Sequence, residues 1–209
     1  MIKLSGVSKT IKKTTVLNNI NYEFEPGRIY GLFGKNGSGK TMLLRSIAGL
    51  IIPTEGEIKI GQKVLHKDVS FPPSIGIIIE NMELLPQYDA FTNLLILSKI
   101  KNIATKEDIE QAIIKVGLDP SSTLKVKKFS LGMRQRLNIA QAIFEKPDIL
   151  LLDEPTNAID DDGVTLIHRV IEEQKERGAV VIIASHHKED IEPLCDYSLK
   201  MNDGLIQEI

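Results

Sequence analysis

Cysteine is nearly absent: the 209 residues contain one, Cys195. That excludes an intramolecular disulfide and a cysteine-rich metal site, and the lone thiol fits a buried structural role in a reducing cytoplasm. A surplus of charge is lacking as well. Lysines and arginines number 26 against 28 aspartates and glutamates, a formal net charge of −2. No general polyanion-binding surface follows, and nucleic acid is not an expected partner. Long apolar runs are missing too. The longest, such as Ala179 to Ala184, fall far below the ~18 residues needed to cross a bilayer. The N-terminal Met-Ile-Lys-Leu-Ser-Gly-Val has no long apolar core behind its charge, so no secretory signal is expected. At this length one compound domain, 1–209, is the default.

What is present is led by the run Gly34-Lys35-Asn36-Gly37-Ser38-Gly39-Lys40-Thr41, set between the apolar stretch Ile29 to Phe33 and the apolar-periodic stretch Met42 to Leu50. This is the pattern of a phosphate-binding loop. Glycines let successive backbone N–H groups turn inward on a polyphosphate, Lys40 supplies a point charge, and the Thr41 hydroxyl is placed to ligate Mg²⁺. The following helix presents its N-terminus to the same anion. The pattern arises by accident in a chain of this length with odds on the order of one in a hundred, so a glycine turn that binds nothing is the weaker reading.

Three short apolar runs, Ile29 to Phe33, Ile149 to Leu152 and Val180 to Ala184, read as strands buried on both faces, with Ile75 to Ile79 joining them. Separated by helical patterns, they predict a mainly parallel sheet covered by helices. Segments around Ile2 to Val7, Asn21 to Phe24 and Glu57 to Ile60 are punctuated by Pro26-Gly27, Pro53 and Gly61, as in an antiparallel lobe. Between about Pro86 and Lys128 the texture turns helical: Thr105 and Asp108 resemble a capping box, Ile109, Ala112, Ile113 and Val116 form one stripe, and Gly117 is a stop. The expected division is therefore a core with β lobe over 1–85 and 129–209, and a helical subdomain over 86–128. A further helix after Asp162 carries Val164, Ile167 and Ile171 on one face and feeds the Val180 strand.

The Ile149 strand ends in Asp153-Glu154, at the carboxyl edge where open α/β sheets place their ligands. Asp153 is suited to hold Mg²⁺ opposite Thr41, and Glu154 to polarise a water for attack on a γ-phosphate. The Val180 strand delivers Ser185-His186 to the same edge. His186 can contact the phosphate or orient the water, or be a satisfied turn residue; His187, His66 and His168 take the plainer role. Ser130-Leu131-Gly132-Met133 opens a helix with Leu137, Ala140 and Phe144 on its apolar side. Ser130 reads either as an N-cap alone or as part of a second anion site built from a hydroxyl, a glycine and a free helix N-terminus. Spacing does not choose between them.

With these residues the chain resembles, essentially end to end, the nucleotide-binding subunit of ATP-binding cassette (ABC) transporters. Gly34 to Thr41 matches the family's Walker A motif, Ile149 to Asp153 with Glu154 its Walker B and catalytic glutamate, and Ser130 to Met133 its signature motif. Asn157-Ala158-Ile159-Asp160 resembles the D-loop and His186 the switch histidine. The resemblance implies an α/β fold with a P-loop NTPase (RecA-like) core, an N-terminal antiparallel β lobe and a helical insertion, hydrolysing ATP with Mg²⁺. It implies a second cassette paired head to tail, with Ser130 and Gly132 acting on the partner's ATP and Asp160 joining the two sites. It also implies permease subunits in the membrane, docked near the helical insertion, and hence a cytoplasmic location on the membrane's inner face.

Departures from the family pattern fall at three places. Ile11 stands where many members carry an aromatic that stacks on adenine, beside Lys12 and Lys13, which read as a solvated basic stretch or, as the weaker alternative, as contacts to phosphate or ribose. Glu80 stands where the family has a glutamine near Mg²⁺, and brings a full charge there. The signature reads Phe-Ser-Leu-Gly-Met rather than Leu-Ser-Gly-Gly-Gln. With Asp-Glu-Pro-Thr-Asn and Leu194-Cys195-Asp196, these resemble the branch of bacitracin and lantibiotic exporters and immunity transporters, implying a peptide antibiotic or amphipathic cargo. The alternatives are a soluble ABC protein acting on nucleic acid or ribosomes, whose double cassettes or coiled-coil insertions do not fit 209 residues, and a degenerate cassette that binds ATP for regulation.

Overall fold

The computed structural model describes residues 1–79 and 83–209. In chain order its elements are β1 (Ile2–Ile11), β2 (Thr14–Phe24), β3 (Arg28–Phe33), α1 (Lys40–Ile47), β4 (Glu55–Ile60), β5 (Lys63–Val64), β6 (Ile75–Ile78), α2 (Ala90–Lys101), α3 (Lys106–Lys115), α4 (Leu131–Ile143), β7 (Ile149–Asp153), α5 (Asp161–Glu176), β8 (Val180–Ser185), α6 (Lys188–Ile191), β9 (Tyr197–Asn202) and β10 (Leu205–Glu208). They form two sheets, an antiparallel one ordered β2-β1-β4-β5 and a larger one ordered β10-β9-β3-β8-β7-β6. In the larger sheet every pairing is parallel except β9 with β10 at one edge.

Period-two alternation explains why the central strands are apolar throughout. Leu150, Leu152, Val181 and Ile183 face one way and bury against Ile109 and Ile113 of α3, Leu137 of α4, and Ile167 and Ile171 of α5. Ile149, Leu151, Val180 and Ile182 face the other way, against Leu43, Leu44 and Ile47 of α1 and against Ile2, Leu17 and Phe24 of the antiparallel sheet. Each fully buried Leu or Ile contributes roughly 1.5–3 kcal/mol, and both faces of β7 and β8 are so occupied. The sheet is the rigid middle layer on whose carboxyl edge the polar residues stand.

Local signals act as expected in the helices. Thr105 Oγ1 accepts from the Asp108 N–H at 3.1 Å and Asp108 Oδ2 from the Thr105 N–H at 2.9 Å, closing a capping box at the start of α3. Ile109, Ala112, Ile113 and Val116 are buried, and Gly117, at φ +74°, ends the helix.

Two features depart from the sequence expectation. β1 and β2 run well beyond Val7 and begin well before Asn21, joined by a tight turn at Lys12-Lys13 with φ of 45° and 72°. Lysines carry none of the Gly or Asn signal that marks such turns, so the hairpin reads as a basic stretch. The C-terminal hairpin β9–β10, turning at Asp203-Gly204 with φ of 47° and 77°, is the second departure, although Asp-Gly is a strong hairpin signal.

Candidate functional site

The loop from Gly34 to Gly39 leaves the end of β3 and enters α1 at Lys40. Gly39 holds φ 108°, and a Cβ there would meet the Val16 carbonyl oxygen at 2.6 Å. Only glycine fits both demands. α1 starts with no side-chain cap and no acid in its first turn, leaving its N-terminal N–H groups for an anion. Lys40 is buried, its Nζ donating to the carbonyls of Gly34 at 2.6 Å and Lys35 at 3.3 Å. Ser38 Oγ is buried with no hydrogen-bond partner. An unpaired buried hydroxyl, a lysine satisfied only by backbone and an uncapped helix are together what a polyphosphate would complete.

β7 lies two strands from β3, with β8 between, so its end meets the start of α1. Thr41 Oγ1 donates to Asp153 Oδ2 at 2.6 Å. Glu154, one residue past the strand, takes a left-handed φ of 52° and is tied by its N–H to the Ala184 carbonyl at 2.8 Å. Three donors engage its carboxylate: Ser185 Oγ reaches Oε2 at 3.1 Å, while the His186 backbone N–H at 3.0 Å and His186 Nδ1 at 2.6 Å reach Oε1. Gln135 Nε2 of α4 donates to the Glu154 and Pro155 carbonyls at 3.2 and 3.1 Å. Sequence spacing did not single out Gln135 or Ser185, because each acts through a contact distant in sequence.

A cavity of about 880 Å³ is lined by part of this set, without Ser38, Ser185 and His186. Its lining includes Asn36, Gly37, Gly39, Lys40, Thr41, Asp153 and Glu154, with Ile11, Lys12 and Val16 on the β1–β2 side. Lys12 thus borders the cavity beside Ile11, which is 40% exposed. Among the described residues no three histidine, cysteine, aspartate or glutamate side chains cluster as a metal cage. Mg²⁺ bound through phosphates needs only one or two protein ligands, a number that Thr41 with Asp153 could supply. Glu80, the expected third neighbour, lies outside the described residues.

Ser130 Oγ caps α4, accepting from the Met133 N–H at 3.1 Å. Ser130, Leu131, Gly132 and Met133 line a second cavity of about 760 Å³, together with Ala158, Asp160 and Arg136. None of the four lines the first cavity. Leu131 is 71% exposed at the helix start. Arg136 donates to Asp160 Oδ1 at 2.8 Å, and its guanidinium holds the Asp160 carboxyl below the usual range. Gly34, Lys35, Asn36 and His186 border a third, open cavity of about 580 Å³. The sequence-predicted residues thus fall into two sets, one around the phosphate loop and one around the start of α4.

Comparison with known proteins identifies the family. The ABC transporter family profile matches residues 17–157. An uncharacterized ABC transporter ATP-binding protein of Bacillus subtilis, YybJ, is 66% identical over 99% of this chain and 95% of its own length. The bacitracin transport ATP-binding protein BcrA of Bacillus licheniformis is 38% identical over 100% of this chain and 69% of its own. The lantibiotic transport ATP-binding protein SrtF of Streptococcus pyogenes is 35% identical over 99% and 89%. Among solved structures, the dimeric bacterial ABC transporter cassette MJ0796 superposes with a TM-score of 0.90 at 25% identity, covering 100% of this chain and 98% of that one. The chain belongs to the ABC transporter family and is one of its ATP-binding ATPase subunits.

Proposed function

We propose that the chain binds Mg²⁺ and ATP in the cavity around Gly34 to Thr41 and hydrolyses ATP within a head-to-tail pair of cassettes that drives separate membrane subunits. The observation that carries the reading is the meeting of Thr41 with Asp153 at 2.6 Å beside Glu154. Lys40 and the loop N–H groups would bind the phosphates, Ser38 Oγ finding in them its missing partner. Thr41 and Asp153 would hold Mg²⁺, which when bound neutralises charge on the phosphate oxygens. Glu154 would polarise the attacking water, and His186 would contact the terminal phosphate. Ile11 would support the base by packing alone.

Ser130, Leu131, Gly132 and Met133 would serve the ATP of a second cassette, with Asp160 linking the two sites. Their separation from the phosphate-loop cavity and the exposure of Leu131 support that reading. The helices between 86 and 128 would form a subdomain that docks a permease, the rest of 1–209 forming the core and β lobe. Ile100 and Ile103, 78% and 62% exposed, support an apolar partner there. No helix among the described residues is long and apolar enough to cross a membrane, so the chain would sit on the inner face through that partner. The likeness to bacitracin and lantibiotic transport proteins supports a peptide antibiotic or other amphipathic compound as cargo. The test is Glu154→Gln in the assembled transporter. ATP binding should survive while turnover falls by about 10²- to 10⁴-fold, and unchanged hydrolysis would sink the assignment.

A further inference from the structure

Ser185 breaks the pattern of its strand. Along β8, Val181 and Ile183 point to the helix-covered face of the sheet, and Ser185 continues that register as the last residue. It is fully buried at 0% exposure and opposite Phe33 of β3. A hydroxyl at an apolar register position costs desolvation unless it has a task. Its hydrogen bonds define one. The His187 N–H donates to Ser185 Oγ at 3.0 Å and so occupies a lone pair. The single hydroxyl proton then has two acceptors, Glu154 Oε2 at 3.1 Å and the His187 carbonyl at 3.3 Å. A carboxylate is the stronger acceptor as well as the nearer.

The two oxygens of Glu154 are held differently. Oε2 is held by a hydroxyl on a rigid, buried strand end. Oε1 is held by His186 twice, by its backbone N–H at 3.0 Å and by a ring that is 40% exposed, so departure of the ring frees one lone pair of Oε1 while the main-chain donor stays. The backbone of Glu154 is itself in the left-handed region at φ 52°, a conformation that persists only where the surroundings enforce it.

We propose that Ser185 is a positioning residue for hydrolysis: by fixing Oε2 it leaves Oε1 as the oxygen that receives a proton from the attacking water when the His186 ring leaves it. The inference rests on the assignment of Glu154 above. In that step the water oxygen bonds to the γ-phosphorus, the bond to the bridging oxygen breaks with its electron pair going to ADP, and the water proton passes to Oε1. Ser185 lines none of the three cavities that hold the other site residues, so it reaches the reaction only through Glu154.

The experiment compares Ser185→Ala, Ser185→Thr, Glu154→Gln and the Ser185→Ala/Glu154→Gln double variant, measuring kcat and ATP affinity on the full chain in the assembly in which it hydrolyses ATP. Ser185→Ala should lower kcat about tenfold while ATP affinity stays within about twofold, the loss expected for a hydrogen bond to a charged group. Ser185→Thr, which keeps the hydroxyl, should restore most of the rate. In the Glu154→Gln background Ser185→Ala should cost nothing further, because residues acting as a unit are not additive. If Ser185→Ala does not fold, Ser185→Cys, a poorer donor of similar volume, should give the same ordering. An unchanged kcat in Ser185→Ala, or an equal further loss in the Glu154→Gln background, would overturn the proposal and leave Ser185 as a turn residue. Full turnover by Glu154→Gln alone would instead overturn the assignment of Glu154.

Discussion

Thr41 and Asp153 are 112 positions apart in the chain, and their side chains meet at 2.6 Å. The strand order β3-β8-β7 brings the two loop ends to one sheet edge, and the hydrogen bond stands where both oxygens would turn to a metal. Replacing Thr41 by Val, which keeps the shape and removes the hydroxyl, should weaken binding of Mg²⁺-ATP while leaving metal-free ATP binding nearly intact. Loss of a direct ligand should cost no less than the about 10- to 100-fold in metal affinity that outer-shell partners cost. Titration with a labelled ATP analogue, with Mg²⁺ and with EDTA, separates the two. Equal weakening in both conditions would argue against a metal role for Thr41.

Gly76 is the point where β6 touches α4. A Cβ there would stand 1.8 Å from the Ala142 carbonyl oxygen and 3.0 Å from Pro147 Cγ, so the last turn of α4 would have to shift as backbone. Gly76→Ala should therefore destabilise the fold by about 1–3 kcal/mol or more, as overpacking does. For a chain of this size that is a fall of roughly 3–10 °C in Tm. Thermal unfolding followed by circular dichroism measures it, and an unchanged Tm would mean that β6 and α4 are less closely seated.

Much of this architecture was legible from local rules. Gly34 to Thr41 announces itself because glycines, a lysine and a hydroxyl must be contiguous to wrap a phosphate. The strands ending at Phe33, Asp153 and Ser185 show because both faces are buried. Other features depend on what meets in space. Gln135 reads as one more polar helix residue until α4 crosses the Glu154-Pro155 turn. Ser185 reads as a strand end until the carboxylate of Glu154 is set beside it. Arg136 and Asp160 lie in different elements and carry no shared signal. Lys12 and Lys13 are exposed, as a solvated basic stretch is, but the turn they make is not legible because lysines lack turn chemistry, whereas Asp203-Gly204 carries that chemistry.

Asp89 links α2 to the stretch that leads into α4. Its Oδ1 accepts from the Thr92 N–H at 2.9 Å as the cap of α2, and its Oδ2 from Lys125 Nζ at 2.8 Å. Burial pushes this carboxyl upward, but the hydrogen bonds from Lys125 and Thr92 outweigh it and bring its pKa down to about 2. Because the folded value is depressed, the stabilisation is complete above the ordinary carboxylate range and is lost as pH falls through about 2. Asp89→Ala should cost about 1–2 kcal/mol near neutral pH, the cap with a partner screened at its Lys125 end. The gap from wild type should close towards pH 2. Urea unfolding of both proteins across that range tests the sign, and a gap that widens in acid would contradict it.

Cys195 is the one cysteine of the chain. It lies in Leu194-Cys195-Asp196, and the aspartate braces the start of β3: Asp196 Oδ2 accepts from the Ile29 N–H at 2.8 Å, and the Asp196 N–H donates to the Ile29 carbonyl at 2.9 Å. Cys195 itself fills the space over Gly31, where a Cβ would stand 2.6 Å from its Sγ, and donates to the Ile191 carbonyl at 3.2 Å. Burial pushes the thiol up to about 12, with the charges of Glu192 and Asp196 adding to the shift. Only the thiolate is a nucleophile, so the native chain at pH 8 should react with iodoacetamide at least about a hundredfold more slowly than the same chain unfolded in guanidinium. Mass spectrometry of the alkylated protein against time measures both rates. Rapid labelling of the native chain would show a thiol that is exposed or activated, and would end its reading as a structural residue packed against β3.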